Sequence, residues 1–149
     1  LRELSRLLKL SMPTIISATD LLSKEDLIIK IRGKVLTRMK ANRESEKFLR
    51  NKRVYNLKKV YDSGIVDYIL ISYNHPKAIM LFGSYSRGED TENSDIDIAV
   101  LTRKNLGLDL IKYEKILKKK VNVHEIDLDR MSSEFKSNLA NGIVLEGSW

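Results

Sequence analysis

The sequence predicts an α+β protein built in two parts, on three observations. Charge is divided unevenly: residues 1–66 hold 16 Lys/Arg against 7 Asp/Glu, a net +9, while residues 67–149 hold 11 against 13, a net −2. The basic part carries apolar residues at helical spacing, then a run of β-branched alternation. The other part sets a continuous apolar run, Lys77 to Phe82, before Gly-Ser, a polar stretch and a second apolar run ending in Ile98-Ala99-Val100-Leu101. An asymmetry of this kind points to a polyanion-binding module beside something of different purpose.

Composition limits the classes. A chain of 149 residues with 42% hydrophobic and 32% charged content reads as one ordinary domain or two small ones, globular and not disordered. The absence of cysteine excludes disulfides, thiolate metal sites and a cysteine nucleophile, and is compatible with a reducing, cytoplasmic interior. No apolar run approaches the roughly 18 residues of a membrane span, and no signal peptide is visible, so no membrane partner is expected. Because Leu1 already lies inside a helical pattern, a few preceding residues, or a first helix, are expected.

Within the basic part, Leu1, Leu4, Leu7 and Leu8 form one face of a short helix that Leu10 closes. Ser11 stands two residues before Pro13, a cap and first-turn pair that starts a second helix running to about Leu22. LIIKIRGKVLTRMKA reads as a hairpin with its tip at Arg32-Gly33-Lys34. Helix, turn, helix and basic hairpin together resemble a winged helix-turn-helix domain over residues 1–43. That resemblance implies a second helix in the major groove, presenting Thr14, Ser17 and Ala18, and a wing reaching DNA phosphates through Lys30, Arg32, Lys34 and Arg38. A solvated basic surface is the plainer alternative, a closer rival for Thr14 and Ser17 than for the hairpin cations.

Residues 44–66 read as a connecting helix, with Phe48, Leu49, Val54, Leu57, Val60 and Tyr61 near helical spacing and Gly64 as its stop. Such a stripe is ordinary core or the seam of a homodimer. The cations Arg50, Lys52, Arg53, Lys58 and Lys59 read as a solvated face ahead of an extended DNA surface. A further helix, IVDYILISY, ends at Asn74-His75-Pro76.

The remaining part, 67–149, carries the chemistry. Gly83 gives the apolar strand a sharp exit, and Ser84 is read as the cap of a short helix starting at Tyr85, with Arg87 a turn in and Gly88 at its end. Free N–H groups and a hydroxyl at that corner suit a phosphate. In the strand that follows, Asp95 and Asp97 share one face while Ile96, Ile98 and Val100 take the other. Adjacent carboxylates repel unless a cation joins them, so a hard divalent ion is expected there: Mg²⁺, or Mn²⁺. A phosphate cradle beside such a pair is the equipment of nucleotidyl transfer from an NTP.

Gly83-Ser84, ten residues, then Asp95-Ile96-Asp97 resembles the GS-x10-D-x-D signature of the nucleotidyltransferase superfamily related to DNA polymerase beta, in its minimal form. Arg87-Gly88 and Ser94 extend the likeness. The resemblance implies a small mixed sheet backed by helices, with Gly83, Ser84, Arg87 and Ser94 binding nucleotide and Asp95 and Asp97 holding metal. It implies NMP transfer, with AMP and therefore ATP first in mind, and a role as the antitoxin that adenylylates a HEPN-type partner protein. It also implies a third carboxylate on a neighbouring strand. Within LKKKVNVHEIDLDRM the inward position falls on Asn122, an amide that can neither take a proton nor bind Mg²⁺ as a carboxylate does. Glu125 is the catalytic candidate if a bulge re-aims it. His124 faces with Asn122, as a base, a phosphate contact or an ordinary strand histidine. Leu110, Ile111, Ile116 and Leu117 mark a helix whose terminal lysines suit its dipole; SSEFKSNLANG marks another, capped by Ser132 or Ser133, and IVLEG an edge strand.

Two functions are therefore expected of the chain: nucleotidyl transfer to a protein or other acceptor, and DNA binding by the first part. The alternative is a DNA-binding regulator whose nucleotide-binding part has lost most of its catalysis.

Overall fold

The computed structural model describes residues 1–33, 37–127, 129 and 131–148. Two compact units divide the chain, residues 1–51 and 52–149.

In the first unit, α1 (Arg2–Leu8) ends where Lys9 turns left-handed at φ 53°, and Ser5 Oγ donates to Leu10 O at 2.6 Å across the turn. Ser11 then caps α2 (Met12–Lys24) by accepting from Thr14 N at 3.3 Å, with Pro13 in the first turn, where its missing N–H costs nothing. Only Ile15 and Thr19 of α2 are buried, and the Thr19 hydroxyl is satisfied by Ile15 O at 2.8 Å. β1 (Ile28–Arg32) and β2 (Thr37–Ala41) pair antiparallel, Ile28 opposite Ala41. At the base of this ribbon Asn42 Nδ2 donates to Asp26 Oδ1 at 2.8 Å. Lys34, at the expected hairpin tip, lies outside the described residues, as does the side chain of Arg32. The helix α3 (Glu46–Asp62) carries the chain from the first unit into the second.

The second unit follows as α4 (Ile65–Ser72), β3 (Ala78–Phe82), α5 (Gly83–Arg87), β4 (Ile96–Leu101), α6 (Ile111–Leu117), β5 (Val121–Ile126), α7 (Ser133–Ala140) and β6 (Ile143–Gly147). Its four strands lie in the order β5-β4-β3-β6. β3 runs antiparallel to both β4 and β6, whereas β4 and β5 are parallel, a pairing that needs the crossover containing α6. Alternation along the strands separates two apolar layers. Ile79, Leu81, Ile96, Ile98, Val100 and Val121 pack with Val60, Ile65, Ile69, Tyr73, Tyr113 and Leu117 of α3, α4 and α6 and the α4–β3 turn. Met80, Phe82, Ala99, Leu101 and Ile126 face the other way, onto Leu139 of α7. Each fully buried aliphatic side chain contributes about 1.5–3 kcal/mol, which fixes β3 and β4 firmly enough to carry polar groups at their ends. The sheet is mixed and flanked by helices on both faces.

Candidate active site

The site grows from the corner where β3 ends. Gly83 has φ +75°, and a Cβ there would stand 2.8 Å from Asp97 Oδ2, so the backbone conformation and the neighbouring carboxylate both demand glycine. Phe82 pairs with Asp97 across the ladder, which sets the Gly-Ser corner against the second aspartate. The short helix α5 starts at Gly83, not at Tyr85, and Phe82 is its cap residue, with no side-chain cap bond. Ser84 therefore lies in the first turn and is not the cap; the chain enters the helix directly through the glycine. Ser86 Oγ donates back to Gly83 O at 2.9 Å and holds the corner.

Asp97, at i−2 from Ala99, lies on the α7 face of the sheet. In the parallel register Asp97 is opposite Asn122, and the Asn122 amide reaches both carboxylates: Nδ2 is 3.2 Å from Asp95 Oδ2 and 3.1 Å from Asp97 Oδ1. One amide nitrogen thus bridges the pair. His124, the next residue on that face, brings Nε2 to 3.4 Å from Asp97 Oδ1, and its ring meets Phe82 edge-on at 5.3 Å.

Glu125 is elsewhere. The β4–β5 register runs unbroken from Ile96–Val121 to Leu101–Ile126, so no bulge re-aims it. Its carboxylate accepts from Tyr73 Oη at 2.7 Å and from Leu106 N at 3.0 Å, on the opposite face from Asn122. Burial pulls the Glu125 carboxyl upward, but the Tyr73 hydroxyl, the backbone N–H groups of Leu106 and Glu125 itself, and His124 outweigh it and hold it below the ordinary carboxylate range. Tyr73 is pushed up, by burial first and then by Glu125. The expectation of Glu125 at the catalytic position gives way to a structural carboxylate–tyrosine pair.

Arg87 donates from Nε to Glu89 Oε2 at 2.7 Å, and Ser94 Oγ accepts from Thr91 N at 2.9 Å, tying the polar loop to itself. Beneath that loop lies a set of residues that sequence reasoning left unassigned. Asp90 is 4% exposed, and its carboxylate meets Lys52 Nζ at 2.9 Å, Asn56 Nδ2 at 2.7 Å and Lys119 Nζ at 3.7 Å. Burial first, then the Asp90 charge, pushes the Tyr85 phenol up to about 12, so it stays protonated.

Asp95 and Asp97 converge on one point, hard oxygens packed against a corner with no Cβ, and that donor set fits a magnesium-like cation. Among the described residues no group of three or more His, Cys, Asp or Glu comes together as a metal cluster. Ser84, in the first turn of α5, lies beside this pair at the same corner. A cavity of about 320 Å³ lined by Thr102, Arg103 and Asp127 lies at the other end of β4 and takes no part.

In the first unit, Thr14 Oγ1 is 2.7 Å from Ser11 Oγ, and Lys30 Nζ is paired with Asp20 Oδ1 at 2.5 Å, so neither group is presented bare. Ser17, Arg38 and Lys40 are exposed.

Residues 65–148, more than half of the chain, match the family described as polymerase beta, nucleotidyltransferase. The chain belongs to that nucleotidyltransferase family. The Gly83 corner and the Asp95–Asp97 pair lie within the matched residues. A putative protein adenylyltransferase of Methanocaldococcus jannaschii is 54% identical over 54 residues, 32% of this chain and 54% of that relative. The nucleotidyltransferase chain thus spans about half the length of that curated relative. A crystal structure of a toxin-antitoxin with AMP-PNP is similar at 32% identity, covering 62% of this chain and 74% of the other, with a TM-score of 0.41. Among the described residues no helix is long and apolar enough to cross a membrane.

Proposed function

We propose that this chain transfers an NMP, AMP foremost, from an NTP to a hydroxyl of a partner protein, and does so slowly. The observation that carries the reading is the Asp95–Asp97 pair at the lip of the Gly83 corner, bridged by an amide where a carboxylate would serve catalysis better. The printed activity of the Methanocaldococcus jannaschii relative, protein adenylylation, supports AMP and a protein acceptor.

The roles follow from the residues. Gly83 lets the backbone approach a phosphate, Ser84 and the first N–H groups of α5 hydrogen-bond its oxygens, and Arg87 adds positive charge at the edge. Asp95 and Asp97 would hold Mg²⁺ or Mn²⁺, which when bound neutralises the triphosphate and orients its α-phosphorus. The acceptor oxygen attacks that phosphorus, the new P–O bond forms as the α–β bridge breaks, and pyrophosphate leaves with the electron pair. The acceptor's proton must go to a base. Asn122 is an amide and cannot take it; His124, on the same face and already 3.4 Å from Asp97 Oδ1, is the remaining side-chain base. Where the proton passes instead to solvent or a substrate oxygen, the step loses the ~10²–10⁴-fold that a positioned general base contributes.

Incubation with labelled NTPs, Mg²⁺ or Mn²⁺ and proteins encoded beside this one, HEPN-type proteins first, tests the reading. Label on an acceptor, lost in Asp95→Ala/Asp97→Ala, supports it; nucleotide binding that needs no divalent ion refutes the site.

The first unit supports a second role, DNA binding, on the exposed Arg38 and Lys40 of β2 and a balance of 12 Lys/Arg against 6 Asp/Glu over residues 1–51. In that role the chain regulates transcription, as the winged helix-turn-helix resemblance implies, with the nucleotide site acting as a sensor. Electrophoretic retention of DNA by the full chain, abolished at high salt, is the expected result; salt-insensitive retention would contradict it.

A further inference from the structure

We propose that Lys119 is a positioning residue of the nucleotide site, holding the loop between Ser84 and Asp95 in its binding geometry before any ligand arrives. The proposal rests on the nucleotide-binding reading above. Its observations are separate from those that carry that reading.

Lys119 lies in the link between α6 and β5, just past the left-handed Lys118 (φ 55°) that ends the helix. Its side chain, 13% exposed, turns inward, and Nζ donates to Thr91 O at 2.5 Å, Ser94 O at 3.0 Å and Glu92 O at 3.4 Å. An ammonium has three protons, and here three carbonyls of one loop converge on it. No aliphatic side chain could satisfy those oxygens, and an amide could satisfy at most two. Ser94 O belongs to the peptide that leads into Asp95, so the position of Nζ sets the backbone from which the first metal-holding carboxylate projects.

The other end of the loop is tied to the same place. Asp90 contacts Lys119, Lys52 and Asn56, and Asn56 Nδ2 also donates to Tyr85 O at 2.9 Å. Tyr85 adjoins Ser84 in α5. The phosphate corner and the aspartate strand are thereby linked through one buried carboxylate flanked by two ammonium groups. A loop already ordered spares a ligand the conformational entropy of ordering it, and that saving appears as affinity.

The test compares the wild-type chain with Lys119→Met, Lys119→Gln and Lys119→Arg. Hydrogen exchange of residues 89–95 is read without ligand, and the Kd for AMP-PNP with Mn²⁺ and the melting temperature are read alongside. Lys119→Met is expected to speed exchange across 91–95 and to raise Kd by about tenfold or more. Lys119→Arg, which keeps charge and several donors, should recover part of both losses. Should Lys119→Met fail to fold, Lys119→Gln is expected to give the same two changes in smaller measure. Unchanged Kd in a folded variant, whether or not its melting point falls, overturns the proposal, since stability alone would then explain the residue. If the wild type binds no nucleotide, the nucleotidyltransferase reading falls and the proposal with it. If the wild type and Lys119→Met bind equally, only the proposal falls.

Discussion

Replacing Asn122 by aspartate converts the bridge between Asp95 and Asp97 into a third negative charge. In the native arrangement Nδ2 donates to both carboxylates at 3.1–3.2 Å. Hydrogen bonds to charged groups contribute about 1.5–3 kcal/mol when buried, and about 1 kcal/mol each at this half-buried site. Two new like-charge contacts near 3 Å, at an effective dielectric between those of surface and bulk water, cost about 1.5–5 kcal/mol each before side-chain relaxation. With relaxation the net loss is about 3 kcal/mol in the absence of divalent ions. For a unit of this size that lowers the melting temperature by about 15 °C. A cation held by three carboxylates should more than restore it, because binding to the folded state alone stabilises by mass action. Thermal melts of wild type and Asn122→Asp, each in EDTA and in excess Mg²⁺, read the effect directly. The expected pattern is a large drop in EDTA, recovery in Mg²⁺, and faster NMP transfer by the variant. A variant as stable as wild type in EDTA, or indifferent to Mg²⁺, would refute the proposal that Asp95 and Asp97 hold one cation beside position 122.

Gly83→Ala should abolish nucleotide binding: the left-handed backbone adds about 1–2 kcal/mol of strain, and its Cβ would stand 2.8 Å from Asp97 Oδ2. Titration with AMP-PNP and Mn²⁺ checks this, and native affinity in the variant would contradict the geometry. Tyr73→Phe removes a donor from a carboxylate held below its ordinary pKa. Glu125 thus contributes stability that is complete above its unfolded value near 4.5 and is lost as pH falls through the lower folded value. The variant should lose about 1.5 kcal/mol at neutral pH and unfold at a higher pH in acid; superimposable acid denaturation curves would exclude the pair. For DNA, Arg38→Ala/Lys40→Ala should lower the slope of log affinity against log salt by about 2, and an unchanged slope would remove β2 from the interface.

The placement of side chains around the Gly83 corner is legible in the sequence where local rules govern it. Strand alternation brought Asp95 and Asp97 to one side, and the same period put Asn122, not Glu125, beside them. The bulge invoked for Glu125 is absent from β5; the sheet's irregularity falls instead between Ile79 and Met80, where β3 meets β6. What escaped was the polar cage under the loop. Its partners are 25 to 38 residues apart, and no periodicity relates a buried Asp90 to Lys52, Asn56 or Lys119. The lysines at 118–120 read as partners of a helix dipole, a sound local reason that fails to distinguish the one that turns inward. The start of α5 was misjudged because Ser is a favoured cap, whereas here the glycine's positive φ lets the helix begin sooner.

The crossover between β4 and β5 has a practical consequence for chain length. Residues 102–110 carry no helix or strand, and a Cβ at Gly107 would meet nothing within 4 Å. Doubling the length of a loop costs only about 0.6 kcal/mol, less than one of the contacts that Asn122 makes. A short peptide tag spliced at Gly107 would therefore leave the strand register intact, because the register is fixed by the ladder and not by the length of chain that closes it.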